Sequence, residues 1–119
     1  MRVANRTVGV RLRVVVAPGV AIGPGKANLL QGIRETGSIS AAGRRMGMSY
    51  KRAWYLVEAM NGHFAQPLVE ATKGGKTGGG AKLTPLGADV LAAYEEMQRL
   101  TEKAVAPALR RLRRKAGAE

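Results

Sequence analysis

The chain has no cysteine, which excludes disulfides, cysteine-ligated zinc and thiol nucleophiles. Its single histidine, His63, leaves little from which to build a metal site or a histidine relay. No apolar run approaches the roughly 18 residues of a spanning helix. The basic start, Met1-Arg2-Val3-Ala4-Asn5-Arg6, does not lead into a signal-peptide core, because Arg11 and Arg13 interrupt the apolar stretch that follows. A cytoplasmic chain is expected. Acids are scarce and scattered: Glu35, Glu58, Glu70, Asp89, Glu95, Glu96, Glu102 and Glu119. Only Glu95 and Glu96 adjoin, and consecutive side chains on a helix diverge by about 100°. No nucleophile, base and orienting group form a set, so neither an enzyme nor a bound cofactor or metal is expected.

What is abundant is positive charge. Twenty Lys and Arg against eight Asp and Glu give +12 and a pI near 11.2 over 119 residues. Such a surplus implies a polyanionic partner or non-specific stickiness, and says nothing about fold. Nucleic acid is favoured over membrane, since no basic amphipathic segment carries Trp or Phe on its apolar face. The length suits one domain, residues 1–119, with a modest core.

From Val8 to Val16 the pattern alternates. Val8, Val10, Leu12, Val14 and Val16 share one face and Arg11 and Arg13 take the other, as in a half-buried strand. The stretch Ala17-Pro18-Gly19-Val20-Ala21-Ile22-Gly23-Pro24-Gly25 is turn-rich and ends it. A helix is expected from about Lys26 to Thr36, with Leu29, Leu30 and Ile33 at helical spacing and Gly37 past its end. Ser38 then caps a short helix in which Ile39, Ala42 and Met46 face inward and Gly43 lets another helix approach closely. Arg44 and Arg45 point out.

Gly47-Met48-Ser49 makes a tight turn, with a serine placed to cap the next helix, about Tyr50 to Phe64. Taking Ala53 as zero and about 100° per residue, Val57, Met60, Phe64 and Leu56 fall within about 60° of it, and Tyr50 and Trp54 flank the arc. Lys51, Arg52 and Tyr55 land opposite, with Glu58 beside them. Trp54, at the border of the apolar arc, reads as a core anchor more readily than as a base-stacking residue. Lys51 and Arg52 oppose the helix dipole, which prefers anions at an N-terminus. That conflict makes sense if they serve an external anion, and the phosphates of a duplex are the obvious one.

After Gln66-Pro67, the run Leu68–Lys73, a glycine loop at 74–80 and Ala81–Thr84 read as strand, loop, strand. Lysines 73, 76 and 82 decorate this hairpin. Behind a helix-turn-helix it is a wing that reaches along the DNA backbone or into the minor groove. Gly75-Lys76-Thr77 does not make a phosphate loop: Glu70 stands where the Walker pattern needs glycine, and a strand follows instead of a helix. Thr84-Pro85 starts the last helix, which runs toward Arg114. Leu86, Val90, Tyr94, Met97, Leu100, Ala104 and Ala108 form its apolar stripe, and Pro107 should kink or split it. The stripe outruns what one small domain needs, which suggests a second copy of the chain; the alternative is a lone helix across its own domain. The run Arg110-Arg111-Leu112-Arg113-Arg114-Lys115 is either solvated or adds phosphate contacts.

The expected fold is mainly α with a small β-sheet: a winged helix-turn-helix with an N-terminal strand, a wing hairpin and a long C-terminal dimerisation helix. In such modules the second helix lies in the major groove. Arg52 is the best candidate for bidentate contact with guanine, and Lys51 and Tyr55 fit base or phosphate contacts. The full candidate set for double-stranded DNA is Ser38, Ser40, Arg44, Arg45, Ser49, Tyr50, Lys51, Arg52 and Tyr55, with Lys73, Lys76, Thr77 and Lys82 on the wing. A regulator is the leading expectation. An architectural protein with little sequence preference, or an adaptor recruiting a partner through the long helix, are the alternatives.

The segments Gly37-Ser38-Ile39-Ser40-Ala41-Ala42 and Gly47-Met48-Ser49-Tyr50-Lys51-Arg52-Ala53-Trp54, the glycine wing and Leu83-Thr84-Pro85-Leu86-Gly87 together resemble the N-terminal winged-helix domain of ModE-type molybdate-responsive regulators, relatives of the LysR-type DNA-binding domain. The resemblance spans about residues 8 to 100. It implies a homodimer through the first and last helices, with Leu29, Leu30, Val90, Tyr94, Met97, Leu100 and Ala104 as the contact set, on an inverted-repeat operator. It also raises a link to molybdate metabolism. Full-length members carry C-terminal molybdate-binding domains, and this sequence is expected to lack one; the effector stays unknown.

Overall fold

In the computed structural model, which describes residues 8–73 and 79–118, proline and glycine frame the first helix. Helix α1 is Pro24–Thr36. It starts slightly earlier than the apolar spacing suggested, because Pro24 has no N–H to lose at a first helical position and its φ is already set. Gly37 ends it in the left-handed region (φ 71°), with its N–H donating to the Ile33 carbonyl at 2.8 Å. Helix α2, Ile39–Arg45, is capped by Ser38, whose Oγ accepts from the Ala41 N–H at 3.0 Å. The chain turns at Gly47 (φ 70°) into α3, Tyr50–His63, where Ser49 Oγ accepts from the Arg52 N–H at 3.1 Å.

Small residues set the spacing of these three helices. A β-carbon on Gly43 would stand 2.9 Å from Cβ of Ala53, so the close approach expected there is real; Gly32 meets Ala42 at the same distance, which the sequence did not announce. Into the gap pack Leu29, Leu30 and Ile33 from α1, Ala42 from α2, and Ala53, Val57 and Met60 from α3, all at most 2% exposed. Fully burying one such leucine or isoleucine contributes about 1.5–3 kcal/mol. Trp54, Leu56 and Phe64 line the margin of the same core, as the helical angles required.

Strands β3 (Val69–Lys73) and β4 (Gly79–Leu83) pair antiparallel, Val69 opposite Leu83 and Glu70 opposite Lys82. The hairpin is fastened to the helices: the Ala81 N–H donates to the Gly37 carbonyl at 2.9 Å, and the Thr84 N–H to the Leu68 carbonyl at 2.9 Å. Helix α4, Pro85–Lys115, opens with Thr84 Oγ1 accepting from the Gly87 N–H at 2.9 Å. Gly87 presses on Leu68 so closely that a β-carbon would lie 2.0 Å from the Leu68 carbonyl oxygen. Pro107 sits inside α4 without splitting it, among exposed or half-exposed residues where solvent can serve the carbonyl left without a donor.

The N-terminal expectation needs correction. The alternating stretch is not one strand: β1 is Val14–Ala17, paired antiparallel with β2, Val20–Ile22, inside the segment read as turns. Residues ahead of Val14 lie against α4 instead. The Leu12 N–H donates to Gln98 Oε1 at 3.1 Å, the Tyr94 hydroxyl donates to the Leu12 carbonyl at 2.8 Å, and Gln98 Nε2 donates to the Val10 carbonyl. Side chains of a helix thus satisfy backbone groups that a neighbouring strand would otherwise take. Val8 and Val16, at 56% and 52% exposed, are left outside the core that Leu12 and Val14 join.

The fold is a winged helix-turn-helix, mainly helical with two small antiparallel sheets. Among the described residues no polar or charged side chain is buried, and no helix is long and apolar enough to cross a membrane.

Candidate nucleic-acid interface

Helix α3 divides along its length. Its apolar arc closes the core, and its opposite face presents Lys51, Arg52, Tyr55 and Glu58 to solvent, Tyr55 at 66% exposure. No acid occupies the first turn. The side chains of Lys51 and Arg52 make no ion pair or hydrogen bond among the described residues. Two cations thus stand at the positive end of a helix dipole with no neutralising partner among the described residues, an arrangement that an anion would stabilise.

The neighbouring arginines are held differently. Arg44 Nη1 donates to Ser40 Oγ at 3.3 Å, one turn back on α2. Arg45 Nη1 lies 2.6 Å from Glu35 Oε1, bridging α2 to the end of α1. The Arg45 guanidinium, joined by the amide of Gln31, holds the Glu35 carboxyl below its ordinary range. Glu35 was not singled out by sequence, since it and Arg45 meet only through the α1–α2 turn. Arg45 is therefore exposed but not bare, a finer state than that of a cation simply pointing outward.

Ser38 and Ser49 use their hydroxyl oxygens as helix caps. Ser38 is also held by its backbone N–H, which donates to Thr36 Oγ1 at 3.2 Å. At the entrance of α3, the Trp54 indole N–H donates to the Tyr50 hydroxyl, with ring centroids 6.3 Å apart and planes at 73°. On the wing, Lys82 faces Glu70 across the strands at 3.6 Å. The Lys73 side chain, Lys76 and Thr77 lie outside the described residues.

One residue the sequence reading missed ties the wing to α3. Asn61 Nδ2 donates to the Val69 carbonyl at 3.0 Å, and its Oδ1 accepts from the N–H groups of Leu68 (2.8 Å) and Val69 (3.1 Å). A signal was there to find: Asn61 falls about 80° from Ala53, on the border of the apolar arc, where a polar side chain needs a reason.

The proposed dimer contacts separate into two kinds. Leu29 and Leu30 are 0% exposed and Tyr94 5%, so α1's pair belongs to the chain's own core and offers no surface to a second copy. Val90 and Met97 are half-buried, Leu100 is 49% exposed and Ala104 is exposed. Leu112, at 63% exposure, extends the uncovered face beyond the stripe read from sequence.

With this geometry in hand, comparison with known proteins is direct. The chain is 52% identical over 81 residues to the molybdenum-pterin-binding protein MopB of Rhodobacter capsulatus, covering 68% of this chain and 30% of that protein. It is 38% identical over 93 residues to the transcriptional regulator ModE of Haemophilus influenzae, covering 78% of this chain and 36% of the relative. It is 40% identical over 81 residues to the DNA-binding transcriptional dual regulator ModE of Escherichia coli K12, covering 68% and 31%. The chain spans about a third of the length of these curated relatives. The family described as "Bacterial regulatory helix-turn-helix protein, lysR family" matches residues 26–88, which run from α1 through α2, α3 and the wing into the start of α4. That stretch is more than half of the chain, and the chain belongs to this family of bacterial regulatory helix-turn-helix proteins.

Proposed function

We propose that the chain is a sequence-specific DNA-binding transcriptional regulator, or the DNA-binding part of one, acting as a homodimer on an inverted-repeat operator. The observation that carries this reading is the bare cationic face at the start of α3, Lys51 and Arg52, mounted on a capped helix-turn-helix and flanked by a wing fastened to the same helix through Asn61. In this reading α3 enters the major groove, Arg52 contacts guanine in a bidentate manner, and Lys51 and Tyr55 contact bases or phosphates. Arg44, Lys82 and the wing lysines 73 and 76 add position rather than sequence preference. The uncovered face of α4 at Leu100, Ala104 and Leu112 supports a second copy as its partner.

Selection of bound duplexes from random DNA tests the reading. An inverted repeat should emerge and bind at least about 10³-fold more tightly than random duplex at near-physiological salt. A ratio near unity would instead establish an architectural protein that uses its +12 charge without sequence preference. One relative, MopB, is named for binding a molybdenum-pterin, and the chain covers about a third of that protein. Titration of the selected duplex with and without molybdate checks for a response: a shift in Kd on adding molybdate would place a sensing site within these residues.

A further inference from the structure

We propose that Trp54 is a positioning residue for DNA contact: its indole N–H holds the Tyr50 hydroxyl as an acceptor, so that the Tyr50 proton is presented outward as a donor to an acceptor atom of the duplex. The inference rests on the DNA-binding reading of α3. Its direction follows from the groups themselves. An indole N–H can only donate, so in the Trp54–Tyr50 bond the phenol oxygen must accept. The phenol proton is then left over. No acceptor takes it among the described residues, and Tyr50 is 57% exposed at the first position of α3, beside Lys51 and Arg52.

Trp54 is suited to the task because it belongs to both environments. One turn along the helix, it leans back toward Tyr50, as helical side chains at this spacing do. Its ring packs against the core and takes its orientation from there. The edge-to-face contact at 6.3 Å fixes the Tyr50 ring as well as its oxygen. A donor held in this way suits a phosphate oxygen, or the O6, N7 and O4 acceptors of the major groove. It does not suit the exocyclic amino groups of cytosine and adenine.

Tyr50→Phe, Trp54→Phe and the double substitution, titrated in the 119-residue chain against a duplex selected from random DNA and against a random duplex, test this. Each single change should weaken binding about 3- to 10-fold, the worth of one neutral hydrogen bond, and the double variant should be no weaker than either. Equal losses on both duplexes identify a phosphate acceptor, and a loss confined to the selected duplex a base acceptor; both support the proposal. It is overturned if Trp54→Phe binds like wild type while Tyr50→Phe does not, if Tyr50→Phe has no effect, or if the two losses multiply, as they would were Trp54 merely structural. Trp54 is the single tryptophan, so its fluorescence in the free Tyr50→Phe protein gives an independent check: unchanged emission means that the bond is not made. If wild type binds neither duplex, the DNA reading itself fails, whatever the emission shows.

Discussion

Helix α3 and the distal half of α4 are both incompletely covered, but they leave opposite things uncovered. On α3 the apolar residues Ala53, Val57 and Met60 are all within 2% of full burial, and the exposed face includes two cations, Lys51 and Arg52, that make no ion pair among the described residues. On α4 burial is confined to Gly87, Leu91 and Tyr94; beyond Tyr94 the helix carries Leu100 and Leu112 at 49% and 63% exposure among its arginines. The two ends ask for different partners. An unpaired cation at a helix N-terminus is stabilised by an anion, whereas exposed leucines are stabilised by apolar surface. In the function proposed above, a polyanionic duplex would answer the first and a second copy of the chain the second, so one complex would satisfy both.

The contrast can be broken most forcefully on α4 alone. Leu91, 1% exposed, and Leu112 differ in burial along one helix. Leu91→Ala should cost about 2–5 kcal/mol of unfolding free energy. Leu112→Ala should stay within about 0.5 kcal/mol when urea unfolding is followed at concentrations where sedimentation shows a monomer. A large loss from Leu112→Ala in the monomer would mean that the distal face is covered by the chain itself. The next effect concerns the charged face of α3. Arg52→Ala should reduce discrimination at one base pair by about 1–3 kcal/mol, seen as a relaxed preference in sequence selection. A footprint and selected site identical to wild type would remove Arg52 from base recognition.

Asn61 probes the link between α3 and the wing. Asn61→Ala strips the N–H groups of Leu68 and Val69 of their acceptor, and both residues are buried. A loss of about 1–3 kcal/mol is expected for leaving such groups unsatisfied. Asn61→Asp keeps the acceptors and loses the donor to the Val69 carbonyl, so its thermal midpoint should fall between the other two. Equal midpoints for Asn61→Ala and wild type would show that the wing is held without this side chain.

The helices were legible in the sequence because each rests on a local rule: a serine cap before α2 and α3, proline at the first position of α4, and a core arc at helical spacing in α1 and α3, although Pro24 at the start of α1 read as part of a turn. The outward placement of Lys51, Arg52 and Tyr55 followed from the same angles. What was not legible depends on contacts between residues far apart in the chain. Valines 8 to 16 alternate like a strand, but alternation does not reveal that Gln98 and Tyr94 would take up the backbone of Val10 and Leu12. Leu29 and Leu30 read equally well as core or interface, and only the tertiary packing assigns them to the core. The ion pair of Arg45 was hidden for the same reason.

That ion pair supports the smallest prediction, which joins the two kinds of surface. Arg45 would resemble Arg52 if Glu35 did not hold it, at 2.6 Å. Because Arg45, then Gln31, lowers the Glu35 carboxyl pKa in the folded chain, its contribution to stability is present above the ordinary 4.5 and is lost as pH falls through the lowered value. Thermal midpoints of wild type and Glu35→Gln, measured downward from neutral pH, should converge below pH 4.5, and added salt should narrow the gap throughout because the pair is exposed. Releasing Arg45 should also make α2 behave more like the start of α3. Binding of Glu35→Gln to random duplex should tighten, and its salt slope should steepen by up to about 0.9, the signature of one further phosphate contact. An unchanged slope would mean that Arg45 does not reach the duplex even when freed, leaving Lys51 and Arg52 as the cationic face that the rest of the domain holds in place.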